Sequence, residues 1–331
     1  MKTLIRFLTF SAALAIAWLA YFAYTPIQLK METVDFDIEA GSRFRVISKQ
    51  LVTQKVLAEP LSFELLARVL GQASDLKAGI YIIKNGTTPI DLLTQITSGT
   101  TGQAGVTFIE GWTFAQMRQA LNQNEAIKHM TMSETDAQIL KQIGANETQA
   151  EGLFFPDTYY FAPNTSDREI LKRAYITMQG KINKAWAEKS EGLPYQTPYQ
   201  ALIMASIVEK ETGKASERPQ IAGVFINRLK VGMRLQTDPT VIYGLGEHFD
   251  GNLHKKDLLT DTAYNTYTRD GLPPTPIAMP GLGAIHAALH PAPTKALYFV
   301  GKGDGSHAFS ASLSEHNNAV VRYQLGGKNA R

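Results

Sequence analysis

Residues 200–229 read QALIMASIVEKETGKASERPQIAGVFINRL and predict two helices joined by a short polar turn. The first helix is expected over residues 200–212, because Pro198 stands where helices commonly begin. The second helix is expected over residues 218–229, with Pro219 in its first turn. This stretch therefore predicts that the C-terminal part of the chain is built around helices.

The first of these helices carries two acidic residues near its end, Glu209 and Glu211. At about 100° per residue, the two side chains point to nearly opposite sides of the helix. Glu211 falls within the arc formed by the Ile, Val and Met side chains, whereas Glu209 lies beside Leu202 and two small residues. A carboxyl group on an apolar face is partly desolvated, which raises its pKa and suits a general acid at neutral pH. The alternative for Glu211 is exposure to solvent or pairing with a nearby cation, namely Lys210, Lys214 or Arg218.

A long region punctuated by Gly and Pro, residues 232–281, follows the second helix and contains few strong helix or strand patterns. Long irregular segments in compact domains are usually functional or disordered. This segment is rich in Tyr, Asn, Thr and Gln rather than in the residues typical of disorder. We therefore expect it to be functional. A last α/β stretch is expected over residues 285–323, with a strand at residues 296–300.

The N-terminus has the pattern of a membrane-spanning helix. An uncharged run over residues 7–27 follows Lys2 and Arg6, and about 20 helical residues span a hydrocarbon core. The two basic residues favour a cytoplasmic N-terminus, which would place the rest of the chain on the other side of the membrane. The competing interpretation is a cleaved signal peptide with a small-x-small site at residues 15–17. We expect an uncleaved single-pass anchor.

Residues 31–107 have the pattern of a small α/β module. Residues 34–38 alternate strictly between apolar and polar types, which predicts a strand, and residues 78–83 predict a second strand. The pair Thr88-Pro89 predicts the start of a helix. The segment is similar to LysM-like modules, which hold glycan chains, and a generic α/β spacer domain is the alternative.

The composition of the 331-residue chain excludes several classes of protein. The chain contains no cysteine, so disulfides, thiol nucleophiles and Cys-ligated zinc are excluded. A net charge of +3 is too weak for an electrostatic binder of nucleic acid. The His-Glu-x-x-His and Gly-x-Ser-x-Gly motifs are also missing from the sequence. We therefore expect no metal site, no acyl-transfer serine and no cofactor.

Several blocks of the sequence are long enough to be compared with those of known families. They are residues 206–212, 215–218, 224–229, 232–244, 263–267 and 271–274, with shorter blocks at 110–111, 155–158, 290–291 and 316–317. Together these blocks resemble the YceG/MltG-like family of endolytic murein transglycosylases. The resemblance covers essentially the whole chain beyond the N-terminal segment, and the length of the blocks makes it specific.

The resemblance implies an enzyme of the inner membrane whose catalytic domain faces the periplasm and cuts peptidoglycan glycan strands internally. The bond would be the β-1,4 link from N-acetylmuramic acid to N-acetylglucosamine, and the new end would be 1,6-anhydro-N-acetylmuramic acid. The family's catalytic Glu corresponds to Glu211, as general acid and then base, with Glu209 as the fallback. Thr212 follows Glu211, where lytic transglycosylases typically carry Ser. One carboxyl group suffices because the sugar's own 6-hydroxyl replaces water as the nucleophile.

In this interpretation residues 232–281 line the substrate cleft. The side chains expected to hydrogen-bond or stack on N-acetyl sugars are Gln236, Asp238, Tyr243, Tyr264, Asn265 and Tyr267. For some of them a turn, a helix cap or loop packing is the alternative. If Asp238 lay across the cleft from Glu211, a two-carboxylate muramidase would be possible. Outside the enzymes, the alternative is a non-catalytic, membrane-anchored scaffold that binds glycans.

The expected fold class is α+β, with three segments in chain order. Residues 1–30 form a cytoplasmic tip and transmembrane anchor, residues 31–107 a LysM-like module, and residues 108–331 a larger, mostly helical catalytic domain with a long irregular substrate-binding region. The expected binding partners are peptidoglycan glycan strands, with peptidoglycan synthases as candidate protein partners and no nucleic acid.

Overall fold

The computed structural model describes residues 2–99, 104–161 and 163–326. The chain divides into two compact units: unit 1 comprises Met1–Gly105 and Tyr160–Thr165, and unit 2 comprises Val106–Tyr159 and Ser166–Arg331. The described residues combine helices with three two-stranded sheets. The α+β class expected from the sequence is therefore confirmed.

Unit 1 is built on a small antiparallel sheet. Its helices and strands in chain order are α1 (Lys2–Tyr24), β1 (Thr33–Ile38), α2 (Phe44–Thr53), α3 (Leu61–Val69), β2 (Gly79–Lys84) and α4 (Pro89–Ser98). Strands β1 and β2 pair with Phe36 opposite Tyr81, and both side chains are fully buried. Thr88 caps α4 by accepting a hydrogen bond from the backbone N–H of Asp91. Both predicted strands and this predicted helix start are confirmed.

The N-terminal helix α1 is continuous over Lys2–Tyr24. At its end Ala23 is buried in the hydrophobic core of unit 1, and Ile27 joins that core just beyond the helix. None of the helices within the described residues is both long enough and apolar enough to cross a membrane. The transmembrane anchor expected over residues 7–27 is therefore not confirmed.

The helices and strands that follow in the chain are mostly helices. They are β3 (Ala104–Thr107), α5 (Phe114–Asn122), α6 (Asp136–Ile143), β4 (Thr158–Phe161), α7 (Asp167–Ala187), α8 (Pro198–Glu211), α9 (Arg218–Lys230), α10 (Asp238–Leu245), α11 (Lys255–Leu259), α12 (Leu282–Leu289), β5 (Tyr298–Gly301), β6 (His307–Ser310) and α13 (Leu313–Tyr323). Strands β3 and β4 form one sheet. Strands β5 and β6 form another, an antiparallel hairpin in which Gly301 lies opposite His307.

Helix α8 is the centre of unit 2. Every side chain from Ala201 to Val208 is buried, and α8 packs against α7, α9, α10 and α12. The Ser206 hydroxyl, although buried, donates to the carbonyl of Ile203 and accepts from the backbone N–H of Ile277. A helix that is apolar on all sides is typical of a core position, and this explains the uncharged run that precedes the two acidic residues.

The boundaries of two predicted segments differ from the observed ones. Helix α8 begins at Pro198, two residues before its predicted start, because the Thr197 side chain caps it by accepting from the N–H of Gln200. The region 232–281, predicted to be irregular, contains α10 and α11. Helix α10 is short and packs against α8, so tertiary contact rather than a long apolar period stabilises it.

Candidate active site

Helix α8 ends at Glu211, and Thr212 then takes an extended conformation. The Oε1 atom of Glu211 accepts a hydrogen bond from the Thr237 hydroxyl, whereas no donor among the described residues reaches Oε2. Burial raises the pKa of Glu211 to about 7. The Thr237 hydrogen bond lowers this pKa, and the charge of Asp238 raises it. The raised pKa predicted for Glu211 is confirmed, and Oε2 can carry a proton to a bound ligand at neutral pH.

A cavity of about 500 Å³, the main cavity, borders Glu211. Three of the predicted binding residues, Gln236, Asp238 and Tyr267, also line it. The Tyr267 hydroxyl donates a hydrogen bond to the Asp238 carboxylate, which fixes both side chains at the cavity wall. The rest of the wall comes from α9, the β5–β6 hairpin and α13. Segments far apart in the sequence therefore combine around the Glu211 carboxyl group.

The backbone at Gln236 is in the left-handed region, with a φ of 48°. This conformation costs a residue with a Cβ roughly 1–2 kcal/mol. Its N–H donates to the carbonyl of Thr266 at 3.1 Å, a contact that holds the segment beside the main cavity. Strain of this kind is common at binding and catalytic sites, where the surrounding structure enforces it. The strained backbone at Gln236 therefore makes this segment a candidate binding segment beside the main cavity, and the Gln236 side chain is exposed there.

Arg228 is a cavity residue that the sequence analysis did not single out. Its side chain is only 8% exposed, yet it borders the main cavity. Nε donates to the carbonyl of Leu297 at 2.6 Å, Nη1 donates to the carbonyl of Leu235 at 2.8 Å, and the guanidinium lies 5.2 Å from the ring centre of Tyr298. The position of Arg228 just after the apolar run 221–226 of α9 was the available signal, since a buried cation needs partners that the local sequence does not supply.

A second cavity, of about 370 Å³, also borders Glu211; we call it the side cavity. Its wall is largely Gly backbone from residues 301–305, together with Thr212 and Ser306. Glu211 and His307 border both cavities. The His307 ring Nδ1 lies 2.8 Å from the Glu217 carboxylate. No local sequence pattern points to His307, because it follows a Gly-rich segment whose pattern indicates a plain turn.

The other three predicted binding residues lie away from the main cavity. Asn265 is fully buried, and its amide donates to three carbonyls of residues 257–260. The ring centres of Tyr243 and Tyr264 are 4.9 Å apart. The Tyr264 hydroxyl lies 2.9 Å from the Thr275 hydroxyl oxygen. Asn265 therefore organises the loop after α11, and a role for these three residues in substrate binding stays a prediction.

Glu209, the fallback catalytic residue, is held by hydrogen bonds to both of its carboxylate oxygens. Its side chain is 5% exposed; Oε1 accepts from Arg218 at 2.9 Å, and Oε2 accepts from the backbone N–H of Gly281 at 2.9 Å. Burial raises its pKa, although both of these contacts favour the charged form. Because both oxygens already have partners, Glu209 has no free atom for a ligand, in contrast to Glu211.

Unit 2 contains another buried carboxyl group, Glu151. It accepts hydrogen bonds from the backbone N–H of Phe114 at 3.1 Å and from the Tyr243 hydroxyl at 3.1 Å. Burial raises its pKa to about 7 against these two hydrogen bonds. The Phe114 N–H is the first of α5, so the carboxylate lies at the N-terminus of that helix. Glu151 thereby links α5 to α10, whose first turn carries Asp238.

We predict that Glu151→Gln makes the free energy of unfolding less dependent on pH. Between the unfolded pKa of 4.5 and the folded pKa of about 7, the folded protein binds more protons, so wild-type stability falls as pH rises through this window. Gln keeps the shape without titrating. The free energy of unfolding of the variant, relative to that of the wild type, should therefore rise by about 2 kcal/mol between pH 5 and pH 8. Urea unfolding of both proteins at pH 5 and pH 8 measures this change. The prediction is contradicted if the difference in free energy of unfolding between the two proteins is the same at both pH values.

His286 and His290 lie one turn apart near the end of α12, with ring centres 4.4 Å apart. Within the described ranges, however, no group of three or more His, Asp or Glu side chains could hold a metal ion. The geometry around Glu211 is instead that of a site for acid–base chemistry on a polar ligand.

Comparison with known proteins identifies the family of this chain. The family model described as YceG-like matches residues 36–322, and the chain therefore belongs to the YceG-like family. It is 34% identical over 317 residues to the endolytic murein transglycosylase of Bacillus subtilis (strain 168), a match that covers 90% of this chain and 87% of that protein.

Two further relatives extend the comparison. The chain is 27% identical over 365 residues to the endolytic murein transglycosylase of Streptococcus pneumoniae serotype 2 (strain D39), covering 98% of this chain but only 65% of that protein. A crystal structure of a yceG-like protein from Listeria monocytogenes aligns with a TM-score of 0.56 at 31% identity, covering 87% of this chain and 99% of the other. The similarity in fold thus extends over most of the chain.

Proposed function

We propose that this chain is a lytic transglycosylase that cuts peptidoglycan glycan strands internally, with Glu211 as its catalytic acid. The observation that carries the proposal is the carboxyl group of Glu211, whose Oε2 is free of donors among the described residues and whose burial raises its pKa to about 7. The relatives named endolytic murein transglycosylase support this general activity. A carboxylic acid that is protonated near neutral pH can donate its proton to a glycosidic oxygen.

The mechanism uses the substrate's own hydroxyl group as the nucleophile. Glu211 donates its proton to the oxygen that leaves with N-acetylglucosamine, and the bond from that oxygen to C1 of N-acetylmuramic acid breaks. The 6-hydroxyl oxygen of the same N-acetylmuramic acid then bonds to C1, which closes the 1,6-anhydro ring. The hydroxyl proton finally returns to the Glu211 carboxylate and restores the acid. No water is consumed, so the usual second carboxylate, which serves as nucleophile or base, is not needed.

The two cavities beside Glu211 fit the internal cutting of a strand. An enzyme that cuts within a chain must accommodate sugars on both sides of the broken bond. The main cavity offers the polar side chains of Gln236, Asp238 and Tyr267, and the side cavity offers a wall of Gly backbone that a sugar can approach closely. We assign these three side chains to substrate binding on the main-cavity side.

A second candidate function is a two-carboxylate muramidase. The observation that favours it is Asp238, which borders the same cavity as Glu211 and whose charge raises the pKa of Glu211. In such an enzyme the second carboxylate would be the nucleophile or would activate water, and the product would be a reducing sugar end. The Asp238 carboxylate already accepts from Tyr267, which favours a binding role over an active base.

Digestion of purified glycan strands in H₂¹⁸O distinguishes the two functions. The full-length chain is expected to release fragments with anhydro ends and without ¹⁸O, as measured by mass spectrometry. Asp238→Asn is expected to reduce the rate by no more than about tenfold and to keep the same end group, because Asn can still accept from Tyr267. Reducing ends that contain ¹⁸O, and that disappear in Asp238→Asn, would select the muramidase. No soluble fragments at all would select the glycan-binding scaffold.

We also propose that residues 1–30 anchor the protein in the inner membrane, that residues 31–107 form a LysM-like glycan-binding module, and that the catalytic domain, residues 108–331, works on the periplasmic side. The basis is Lys2 and Arg6 ahead of the uncharged run, with the family resemblance. Peptidoglycan synthases are the partners we propose for it there. Release of the full-length chain from membranes by alkaline carbonate would refute the anchor.

A further inference from the structure

The mechanism above leaves one titratable side chain at the reaction centre unused. His307 stands at the start of β6 and borders both cavities that meet at Glu211. Its charge would lower the pKa of Glu211, which places the two groups within electrostatic reach of each other. The Phe299 ring packs edge-on against the imidazole, with ring centres 5.4 Å apart, and restricts its rotation. His307 is therefore a fixed side chain beside the catalytic acid.

The orientation of the imidazole is set by Glu217. Nδ1 of His307 lies 2.8 Å from Glu217 Oε2, and the backbone N–H of His307 donates to the same carboxylate at 3.2 Å. Lys214 lies 3.4 Å from the other oxygen of Glu217. Burial alone would raise the pKa of Glu217, but the hydrogen bonds from His307 and Lys214 hold it below its ordinary value. The carboxylate is therefore ionised and Nδ1 carries the hydrogen, so the lone pair of the neutral ring is on Nε2.

The reaction needs two proton transfers, one to the leaving oxygen and one from the attacking 6-hydroxyl, but Glu211 has only one free oxygen. Its Oε1 is occupied by the Thr237 hydroxyl, and only Oε2 is open. When the bond to the leaving sugar breaks, Oε2 faces the oxygen that it has just protonated. The attacking 6-hydroxyl must lose its proton as its oxygen bonds to C1, so a different acceptor close by would let both transfers proceed together.

We propose that His307, held by Glu217, is a second catalytic residue that takes the proton of the attacking hydroxyl group. As the 6-oxygen bonds to C1 of N-acetylmuramic acid, its proton moves to Nε2, and the imidazolium formed is stabilised by the Glu217 carboxylate. The imidazolium then passes this proton to the Glu211 carboxylate, so both residues return to their starting states. The inference rests on the proposed transglycosylase function and adds to it the acceptor of the hydroxyl proton.

The test combines His307→Gln, His307→Ala and Glu217→Gln in the full-length chain, each checked for folding by circular dichroism. The substrate is purified glycan strands, and anhydro ends are counted by mass spectrometry. Removal of a general base is expected to lower kcat by about 10²-fold or more in both His307 variants, with KM within about threefold of the wild type. Glu217→Gln should lower kcat by roughly tenfold, because the imidazole loses the partner that orients it.

Chemical rescue separates a proton acceptor from a structural side chain. Added imidazole is expected to accelerate His307→Ala at least tenfold, whereas pyrazole, a ring of the same size and far weaker basicity, should not. The control variant is His129→Ala, an exposed residue that borders neither cavity and should keep wild-type kinetics with or without imidazole.

Each other result overturns the proposal. A His307→Gln enzyme with wild-type kcat assigns both proton transfers to Glu211, and a rise in KM alone makes His307 a binding residue. A folded, slow His307→Ala enzyme that imidazole does not accelerate makes its role structural. All these outcomes require a wild type that forms anhydro ends. A wild type that forms none instead rejects the proposed function itself.

Discussion

The Glu211→Gln variant is expected to release anhydro-ended fragments at least about 10³-fold more slowly than the wild type, while remaining folded. Gln has nearly the same shape as Glu, and its amide oxygen can still accept from the Thr237 hydroxyl. The amide cannot, however, donate an acidic proton to the leaving oxygen. The loss should appear in kcat with little change in KM, because the proton is transferred only in the transition state.

The same variant should be more stable than the wild type at alkaline pH. Burial raises the folded pKa of Glu211 to about 7 from 4.5, so ionising this group above pH 7 costs the folded state free energy. Replacing it with a neutral amide removes that cost, which is worth about 3 kcal/mol at pH 8 and little at pH 4. Thermal unfolding at the two pH values measures the difference. A folded Glu211→Gln enzyme with wild-type turnover would show that the catalytic acid lies elsewhere.

Glu209→Gln should have the opposite profile, with a lower free energy of unfolding and retained turnover. We expect a loss of about 2–3 kcal/mol, because the substitution removes the closer of the two carboxylates that pair with a largely buried positive charge. That charge is Arg218, whose side chain is 13% exposed. Glu110 lies 3.7 Å from Arg218 and moderates the loss. The Gln amide oxygen can still accept from the Gly281 N–H, so the backbone contact survives.

Urea unfolding and strand digestion on the same two preparations provide a matched comparison. The two substitutions remove the same charge from positions two residues apart on α8. If Glu211 is the acid, Glu209→Gln keeps turnover within about threefold in the folded fraction, since Glu209 does not line the main cavity. An inactive, fully folded Glu209→Gln enzyme beside an active Glu211→Gln enzyme would reverse the assignment.

Part of the site follows from the local sequence alone. The uncharged run before Glu209 predicts a buried helix, and Ala201–Val208 are indeed buried. The helix-face argument for Glu211 correctly predicts its raised pKa. The same argument fails to separate the two acidic residues, because α8 is enclosed on all sides and burial raises the pKa of both. Helical periodicity reports burial, but it carries no information about partners.

The segments after α9 were harder to predict. The chemistry of Gln236, Asp238 and Tyr267 predicts that they bind the substrate, and all three line the main cavity. The same chemistry predicts a binding role for Asn265, yet the amide of Asn265 donates to carbonyls of its own loop. Polar side chains that bind a ligand are of the same residue types as polar side chains that organise a loop. Only the path of the backbone separates them, and hydrogen bonds of Thr266 with Thr237 and Thr240 help to hold that path.

The sequence by itself determined the α+β class, the buried helix α8 and two acidic residues at its end, because these depend on neighbours within a few residues. The tertiary structure decided which of the two has a free oxygen. Glu209 is paired with Arg218 nine residues away and with Gly281, 72 residues away. Glu211 meets Thr237 across 26 residues, and Glu217 meets His307 across 90. Hydrogen bonds form between groups that are adjacent in space, and only folding brings these groups together.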